Sequence, residues 1–496
     1  QGNPQRAISL LDSIEKKSKN LNHRISAIGE KIGISVYTLK FQEGAEECER
    51  AFKILGYQLP EPNQESIGRG LGEVMSLLGE RNPHDLIHLE TIQDEQTFLI
   101  NKILYSQLPC AFLSGNGQLW MVTVLEMTKI LLTKGLSIQG ALGLSSFGMI
   151  MGAVIGDRSK ALLLGEVSIK ISEKLQDPSL DPQLKFVTSY FLAPWVKNKD
   201  YFEPLLEESI GDGLKFGDLG YTGFSIQVKY GLMIYSGAPL SQLISAAKNN
   251  HGIIQTIRQG DASLLHNLIL ELAKKQQEEN PGNHLTLGKS VEEWIGELMG
   301  NKLYNVLGIF LNFHCSLANL QGNHAEVIAH YGLLCQLEEA YFSNLMVPAI
   351  KLQYFLSKAF LFLKEGGENP QTELKELLEW MKAQNQANND FFFGAISLMN
   401  AVLTWISKGP KHAVLGFEEA LSIALKSGNL RNVALIQESL FQIYLSSNNQ
   451  EKAKAYFGEA LHAYNKYGSI QKVHKLRQDY PQYAFETQKS SFRSGD

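Results

Sequence analysis

The sequence predicts an all-α fold in which helix pairs stack side by side as a right-handed α-solenoid, with a repeat of about 40 residues. Three observations lead to this prediction: long stretches without proline, apolar residues spaced along one helix face, and an internal repeat. The 15 prolines leave four long proline-free runs, at 5–59, 110–177, 282–347 and 411–480. Because proline inside a helix costs about 3 kcal/mol, these runs permit long helices.

Segment 452–467 has the apolar spacing of an amphipathic helix. Its apolar residues fall at i, i+4, i+7, i+8 and i+11, and they are Ala453, Phe457, Ala460, Leu461 and Tyr464. Residues with this spacing lie along one stripe of an α-helix. Alternating patterns of comparable length, which would indicate strands, are absent from the sequence. The pattern therefore predicts helices and no sheet.

Two segments near the end of the chain repeat each other at an offset of 40 residues. Segments 413–428 and 453–468 are identical at seven of sixteen positions, including the closing glycines Gly428 and Gly468. Glycine supplies the left-handed conformation that a helix C-terminus often needs. Since one helix pair cannot bury its apolar face alone, repeated pairs are predicted to stack.

Turn-rich segments divide the chain into five predicted regions. The length of 496 residues corresponds to about three domains. A polar stretch rich in turn residues, at 274–289, is the predicted break between two solenoid halves. The regions are N-terminal helices (1–61), a connecting loop with a short helix (62–95), the first solenoid half (96–280), the second half (281–482, with the clearest repeats at 388–468) and a polar tail (483–496).

Composition and charge narrow the class of protein. The net charge of −5 provides no overall basic field for a nucleic-acid backbone, so no nucleic-acid partner is expected. The four cysteines include no CxxC pair, which makes a disulfide scaffold and a zinc ribbon unfavourable and indicates a reducing, cytoplasmic compartment. The chain begins at Gln1 without a signal-peptide pattern, which is typical of a processed or excised piece of a longer chain.

The uncharged segment 135–156 has two interpretations. Gly148, Gly152 and Gly156 are four residues apart, a spacing that brings membrane helices into close contact. However, only 12 of the 22 residues are apolar, six are glycine, and Gln139 lies inside the segment. The favoured interpretation is a buried helix whose glycine face receives a neighbour, and no membrane span is expected.

The sequence carries no complete catalytic or nucleotide-binding motif. Gly288, Lys289 and Ser290 resemble the end of a phosphate-binding loop, but Asn283 stands where the loop needs glycine, and no strand precedes it. The segment 143–148 resembles a nucleophile elbow, yet neither Ser145 nor Ser146 has a glycine both two residues before it and two residues after it. We therefore predict no catalytic residue, no cofactor, and a solvated loop that enters a helix at residue 291.

Two histidine pairs are close enough in sequence to be candidate metal ligands. His84 and His88 are four apart and could share a helix face, but Glu90 does not fall on that face as a third ligand. His324 and His330 are six apart, so they point to different faces of a helix. No metal site is predicted.

Aromatic clusters supply the candidate partner-binding residues. Core packing is their favoured role, and gripping a peptide or ligand on the concave face of the solenoid is the alternative. The candidates are Tyr190, Trp195, Tyr201, Phe391, Phe392 and Phe393.

Four segments carry a resemblance to a known family: 51–62 (AFKILGYQLPEP), 164–178, 205–224 and the C-terminal 417–481. Together they resemble the tetratricopeptide-like helical region of large bacterial signalling proteins, where it lies between an AAA-type ATPase module, often behind a serine/threonine kinase domain, and GAF and histidine-kinase or cyclase domains. Neither an ATPase phosphate loop nor a kinase signature is present, so those activities are not carried over. The resemblance implies a regulatory, partner-binding region in a bacterium.

Three function classes follow for this sequence. The first is a non-catalytic regulatory or scaffold region in bacterial signal transduction that binds another protein or a flanking domain of its own chain. The second is a superhelical sensor of a small ligand that controls an attached ATPase or a transcriptional output. The third is a stand-alone bacterial effector or enzyme on a helical scaffold, because fold alone does not exclude an activity.

Overall fold

The computed structural model describes residues 3–38, 40–257, 260–279, 286–337, 341–385 and 390–484. Over these ranges the chain forms 23 α-helices and no strand, and two isolated bridges join Thr91 to Leu136 and Thr286 to Lys289. Successive helices pack against each other as neighbouring pairs. The predicted all-α class with paired helices is confirmed.

The helices are numbered in chain order. They are α1 (Pro4–Lys17), α2 (Leu21–Tyr37), α3 (Phe41–Ile54), α4 (Gln64–Leu78), α5 (Glu95–Leu113), α6 (Gly117–Lys134), α7 (Ile138–Ile150), α8 (Arg158–Leu175), α9 (Asp181–Val187), α10 (Lys199–Phe216), α11 (Leu219–Tyr235), α12 (Leu240–Ile257), α13 (Gly260–Gln276), α14 (Val291–Gly300), α15 (Tyr304–Gln321), α16 (His324–Gln336), α17 (Met346–Glu365), α18 (Gln371–Gln384), α19 (Asp390–Lys408), α20 (Pro410–Ser427), α21 (Leu430–Ser446), α22 (Gln450–Tyr467) and α23 (Ile470–Asp479). Short 3₁₀ turns occur at Pro83–His88, Pro178–Leu180 and Ala193–Trp195, and π turns at Met151–Ile155 and Thr188–Leu192.

Local sequence explains where many helices begin and end. Asparagine side chains accept hydrogen bonds from the first free backbone N–H groups of six α-helices, and these residues are Asn3, Asn20, Asn63, Asn116, Asn429 and Asn449. At the other end, Gly428 and Gly468 follow α20 and α22 with φ of 72° and 102°. Both glycine stops lie where the repeat predicted them, because only glycine adopts this conformation without strain.

The chain divides into two compact units. The first falls within 1–194, 199–225 and 342–344, and the second within 195–198, 226–341 and 345–496. The predicted break at 274–289 lies inside the second unit, although its residues 280–285 are outside the described ranges. Most of the predicted polar tail, 485–496, is also outside them.

In the first unit, α7 is buried along nearly its whole length. A Cβ added to Gly143 would lie 2.6 Å from Cβ of Met127, and one added to Gly148 would lie 2.8 Å from the carbonyl oxygen of Ala161. The prediction that this glycine-rich helix receives neighbours is therefore confirmed. Gly156 has a different role, since it ends the π turn after α7 with a left-handed φ of 88°.

Three helical segments among the described residues are long and apolar enough to cross a membrane. They are Ile138–Ile155, Met346–Glu365 and Asp390–Lys408. The first, which contains the glycine run, is 78% buried inside the protein. This property concerns length and composition only, and the absence of a membrane span stays a prediction.

In the second unit, helices far apart in sequence contact each other. A guanidinium nitrogen of Arg431, on α21, donates to Ser316 Oγ at 2.7 Å and to the carbonyl oxygen of Ile234 at 3.5 Å. The side chain of Gln471 donates to the carbonyl oxygen of Lys275 at 2.6 Å. The unit therefore holds contacts between remote helices in addition to those between neighbours, whereas an ideal solenoid has only the latter.

Candidate functional site

The α15–α16 hairpin brings together three side chains with metal-binding atoms. Gly322 ends α15 in a left-handed conformation, with φ of 80°, and α16 begins at His324. Because the two helices run in opposite directions from this turn, a residue eight positions before it faces one eight positions after it. His314 thus lies opposite His330, and Glu326 is one helical turn from His330.

The three side chains form a compact cluster, called the His–Glu–His cluster below. It consists of His314, Glu326 and His330, and one ligand atom from each lies within 4.8 Å of the others. Nε2 of His314 is 2.8 Å from Oε1 of Glu326. The imidazole rings of His314 and His330 have centroids 5.9 Å apart and planes 67° apart.

Burial and charge set the protonation of the cluster. Burial lowers the pKa of His330, and His314 lowers it further, while the carboxylates of Glu326 and Glu292 raise it. The hydrogen bond from His314 lowers the pKa of Glu326 against the opposing effect of burial. Both shifts favour a carboxylate at Glu326 and a neutral imidazole at His330, which offers one nitrogen lone pair.

The cluster is partly open to solvent on one side. The Glu326 side chain is 33% exposed, whereas His314 is 17% exposed. Nδ1 of His330 is buried and has no hydrogen-bond partner in the part of the chain that the structure describes. The neighbouring Cys315 thiol is buried, which raises its pKa to about 12, so it stays protonated.

The structure adds a candidate metal site where sequence reasoning expected none. His324 and His330 do not share a site, as their spacing indicated, because His324 packs against the ring of Phe360 at 5.7 Å. The ligands that sequence reasoning missed are His314 and Glu326. The sequence pattern that could have revealed them has two parts. Glu326 and His330 are four residues apart on one helix, and His314 lies on the helix before the turn.

The earlier pair, His84 and His88, lies in the 3₁₀ turn Pro83–His88. With three residues per turn, side chains four positions apart point about 120° away from each other. This pair therefore does not share a face, for a reason that the sequence pattern did not reveal.

The six aromatic candidates fall into two groups. Tyr190, Trp195 and Phe392 are buried, at 2%, 3% and 0% exposure, and Trp195 stacks on Phe392 at 5.6 Å. Burial favours the packing role for these three. Tyr201 and Phe393 are 37% and 46% exposed, and Phe391 is half-buried. Only the second group has side-chain surface for a partner.

A more exposed apolar surface lies on α20. Leu415 is 78% exposed and Leu425 is 58% exposed. Glu418 and Glu419, both exposed, lie between them on the outer side of the helix. These four residues are called the α20 surface below, and they combine apolar and acidic groups.

Two small cavities lie among α15, α16 and α17. Each has a free volume of about 10 Å³, room for about one water molecule, and both are lined by Tyr331, Leu334 and Ile350. The Tyr331 ring stacks on that of Tyr354 at 3.8 Å. Ligand pockets usually have about 300–1,000 Å³, so these cavities are small for a metabolite.

The segment that resembled a phosphate-binding loop leads into α14, as predicted. The side chain of Ser290 accepts a hydrogen bond from the N–H of Glu293, whose side chain bonds in turn to the N–H of Ser290. Lys289 pairs with Glu297. Both polar residues are thus used in starting and bracing the helix. Asn283 lies outside the described residues.

Comparisons with known proteins leave the resemblance without independent support. No protein family matches the sequence, and no curated protein matches it either. The helical pairs, the α20 surface and the His–Glu–His cluster are therefore the features that bear on function.

Proposed function

We propose that the chain is a non-catalytic regulatory region, a right-handed helical solenoid with a repeat of about 40 residues, that binds another protein or a domain of its own chain. The α20 surface carries this proposal. Leu415 and Leu425 are exposed, although the second copy of the repeat has Ala455 and Asn465 at the same positions, 40 residues later. Packing of the repeat therefore does not require leucine at either position, and an exposed leucine pair suits partner binding.

The acidic residues of the α20 surface define the partner's chemistry. Glu418 and Glu419 lie between the two leucines, so a matching segment presents apolar side chains flanked by lysine or arginine. An amphipathic basic helix meets this requirement. The family resemblance supports the wider setting of bacterial, cytoplasmic signal transduction.

Site-specific photo-crosslinking in the source cell tests the proposal. A photoreactive amino acid at position 415 is expected to capture one polypeptide through an apolar, basic segment, and the same group at the matched position 455 is expected to capture none. The purified segment should then bind the wild-type chain, and Leu415→Ala with Leu425→Asn, which copies the second repeat, should weaken binding about tenfold or more. Equal capture at 415 and 455, or unchanged affinity in the double variant, would reject the proposal.

A sensor of a small molecule is the second candidate function. The cavity beside the stacked rings of Tyr331 and Tyr354 is the feature that favours it, because the face of an aromatic ring can pack against a planar ligand. Its free volume of about 10 Å³ holds about one water molecule, which places this candidate well behind partner binding. An enzyme on this scaffold is the third candidate.

A further inference from the structure

The geometry points to a divalent transition-metal site at the His–Glu–His cluster, with Zn²⁺ as the ion, bound by His314, Glu326 and His330 at the α15–α16 hairpin. This inference is independent of partner binding at the α20 surface. It rests on the types of ligand, their distances, and an unsatisfied buried nitrogen.

The ligand types match the preference of zinc. Two imidazoles and one carboxylate form a set of three protein ligands that leaves a fourth position for water or another group. Glu326 is the most exposed of the three, with 33% of its side chain accessible, so the open position and the entry path lie on its side.

The distances suit one ion after a small movement. Zinc bonds of about 2.0–2.2 Å at tetrahedral angles place ligand atoms about 3.3–3.6 Å apart. His314 Nε2 and Glu326 Oε1 are closer than this, at 2.8 Å, and no ligand pair in the cluster exceeds 4.8 Å. The widest pair would have to close by about 1.5 Å at most, which is within the reach of side-chain rotation.

One ring nitrogen of His330 is available as a ligand atom. His330 is 8% exposed, and its buried Nδ1 has no hydrogen-bond partner among the residues that the structure describes. Buried polar groups nearly always have a partner. An ion bound through this nitrogen would supply one, whereas the likewise unpartnered Nδ1 of His324 belongs to no group of three ligand side chains among the described residues.

Zinc titration of the untagged full chain tests the site. The experiment uses the Cys335→Ser background, because Cys335 is an exposed thiol and therefore a competing ligand. After removal of metal with a chelator, competition against a chromophoric chelator should show one Zn²⁺ per chain. Glu326→Gln and His314→Gln should each weaken binding by about tenfold or more.

His324→Gln is the matched control. His324 lies on the same helix as His330 and has the same 8% exposure, but it is outside the cluster. Its variant should bind Zn²⁺ like the background protein, and its thermal midpoint should rise on zinc addition, whereas that of Glu326→Gln should not.

Spectroscopy of the Cys335→Ser background protein, in which the cluster is intact, keeps the test independent of folding defects in the cluster variants. The Co²⁺-loaded protein should show the intense visible absorption of four-coordinate cobalt, and X-ray absorption of the zinc form should show two imidazoles and oxygen ligands. Zinc binding that Glu326→Gln and His314→Gln leave unchanged, or that His324→Gln weakens equally, would overturn the inference, as would an absence of stoichiometric binding.

Discussion

His266 lies at the centre of a buried polar chain in the second unit. Its Nδ1 is 3.0 Å from the hydroxyl of Tyr230, and its Nε2 is 3.4 Å from Nδ1 of His251. Burial lowers the pKa of His266, and the neighbouring His251 lowers it further. The unfolded chain therefore takes up a proton on this residue at a higher pH than the folded chain does.

We expect acid to destabilise the protein through this histidine. Its contribution to the free energy of unfolding is fully present above the ordinary pKa of about 6.5 and is lost as the pH falls toward the lower, folded-state pKa. Urea unfolding at about pH 7 and pH 5 should show a smaller loss of stability for His266→Gln than for wild type. His412→Gln, at an exposed histidine on α20, should keep the wild-type pH dependence. The same pH dependence in wild type and His266→Gln would contradict the expectation.

At the scale of the helix, the close approach of α7 to its neighbours depends on glycine. A Cβ at Gly148 would meet the carbonyl oxygen of Ala161 at 2.8 Å, and backbone cannot move aside as a flexible side chain can. By contrast, Gly211 in α10 has open space around it. Alanine substitutions at Gly148 and Gly211 therefore distinguish the steric cost of a Cβ from the gain that alanine brings to any helix.

Gly148→Ala should lower the free energy of unfolding by about 1–3 kcal/mol, because the added methyl forces α7 away from α8. Gly211→Ala should instead raise it by up to about 1 kcal/mol, since alanine is the better helix former. Urea unfolding of both variants measures the difference. A stability gain for Gly148→Ala would show that the two helices are not in this close contact.

At the scale of the whole molecule, Arg431 joins remote parts of the second unit. It is 5% exposed, and its guanidinium donates to Ser316 on α15 and to Ile234 on α11. Burial lowers the pKa of this arginine, while Tyr467 raises it. One side chain thus links helices separated by about 115 and 197 residues.

Arg431→Ala should lower the free energy of unfolding by about 2–5 kcal/mol, because it leaves a cavity among three helices and removes two hydrogen bonds. Arg431→Met keeps most of the volume and removes the buried charge, so it should cost clearly less. The urea midpoints of the two variants provide the measurement. An equal loss in both would show that the hydrogen bonds, and not the packed volume, account for the stabilisation.

Part of the candidate site could be predicted from local patterns. The hairpin turn after α15 and the four-residue spacing of Glu326 and His330 are both readable, and together they place His314 opposite. A comparison of histidines within a single helix does not find this site, because a metal site between two helices takes its ligands from both helices. Core packing was the favoured role for all six aromatic candidates, and Tyr190, Trp195 and Phe392 are indeed buried. The sequence did not distinguish these three from the others, because the same aromatic pattern occurs in cores and on surfaces.

The amino-acid sequence by itself determined the helices, many of their first and last residues, and their pairing with the next helix along the chain. These features depend on residues within a few turns of each other, where apolar period, asparagine caps and glycine stops act. Only the tertiary structure decided which remote helices meet, as at Arg431, and which nitrogen atoms approach Glu326. Those distances depend on side-chain packing between helices, and a one-dimensional pattern does not encode the rotation of one helix against another.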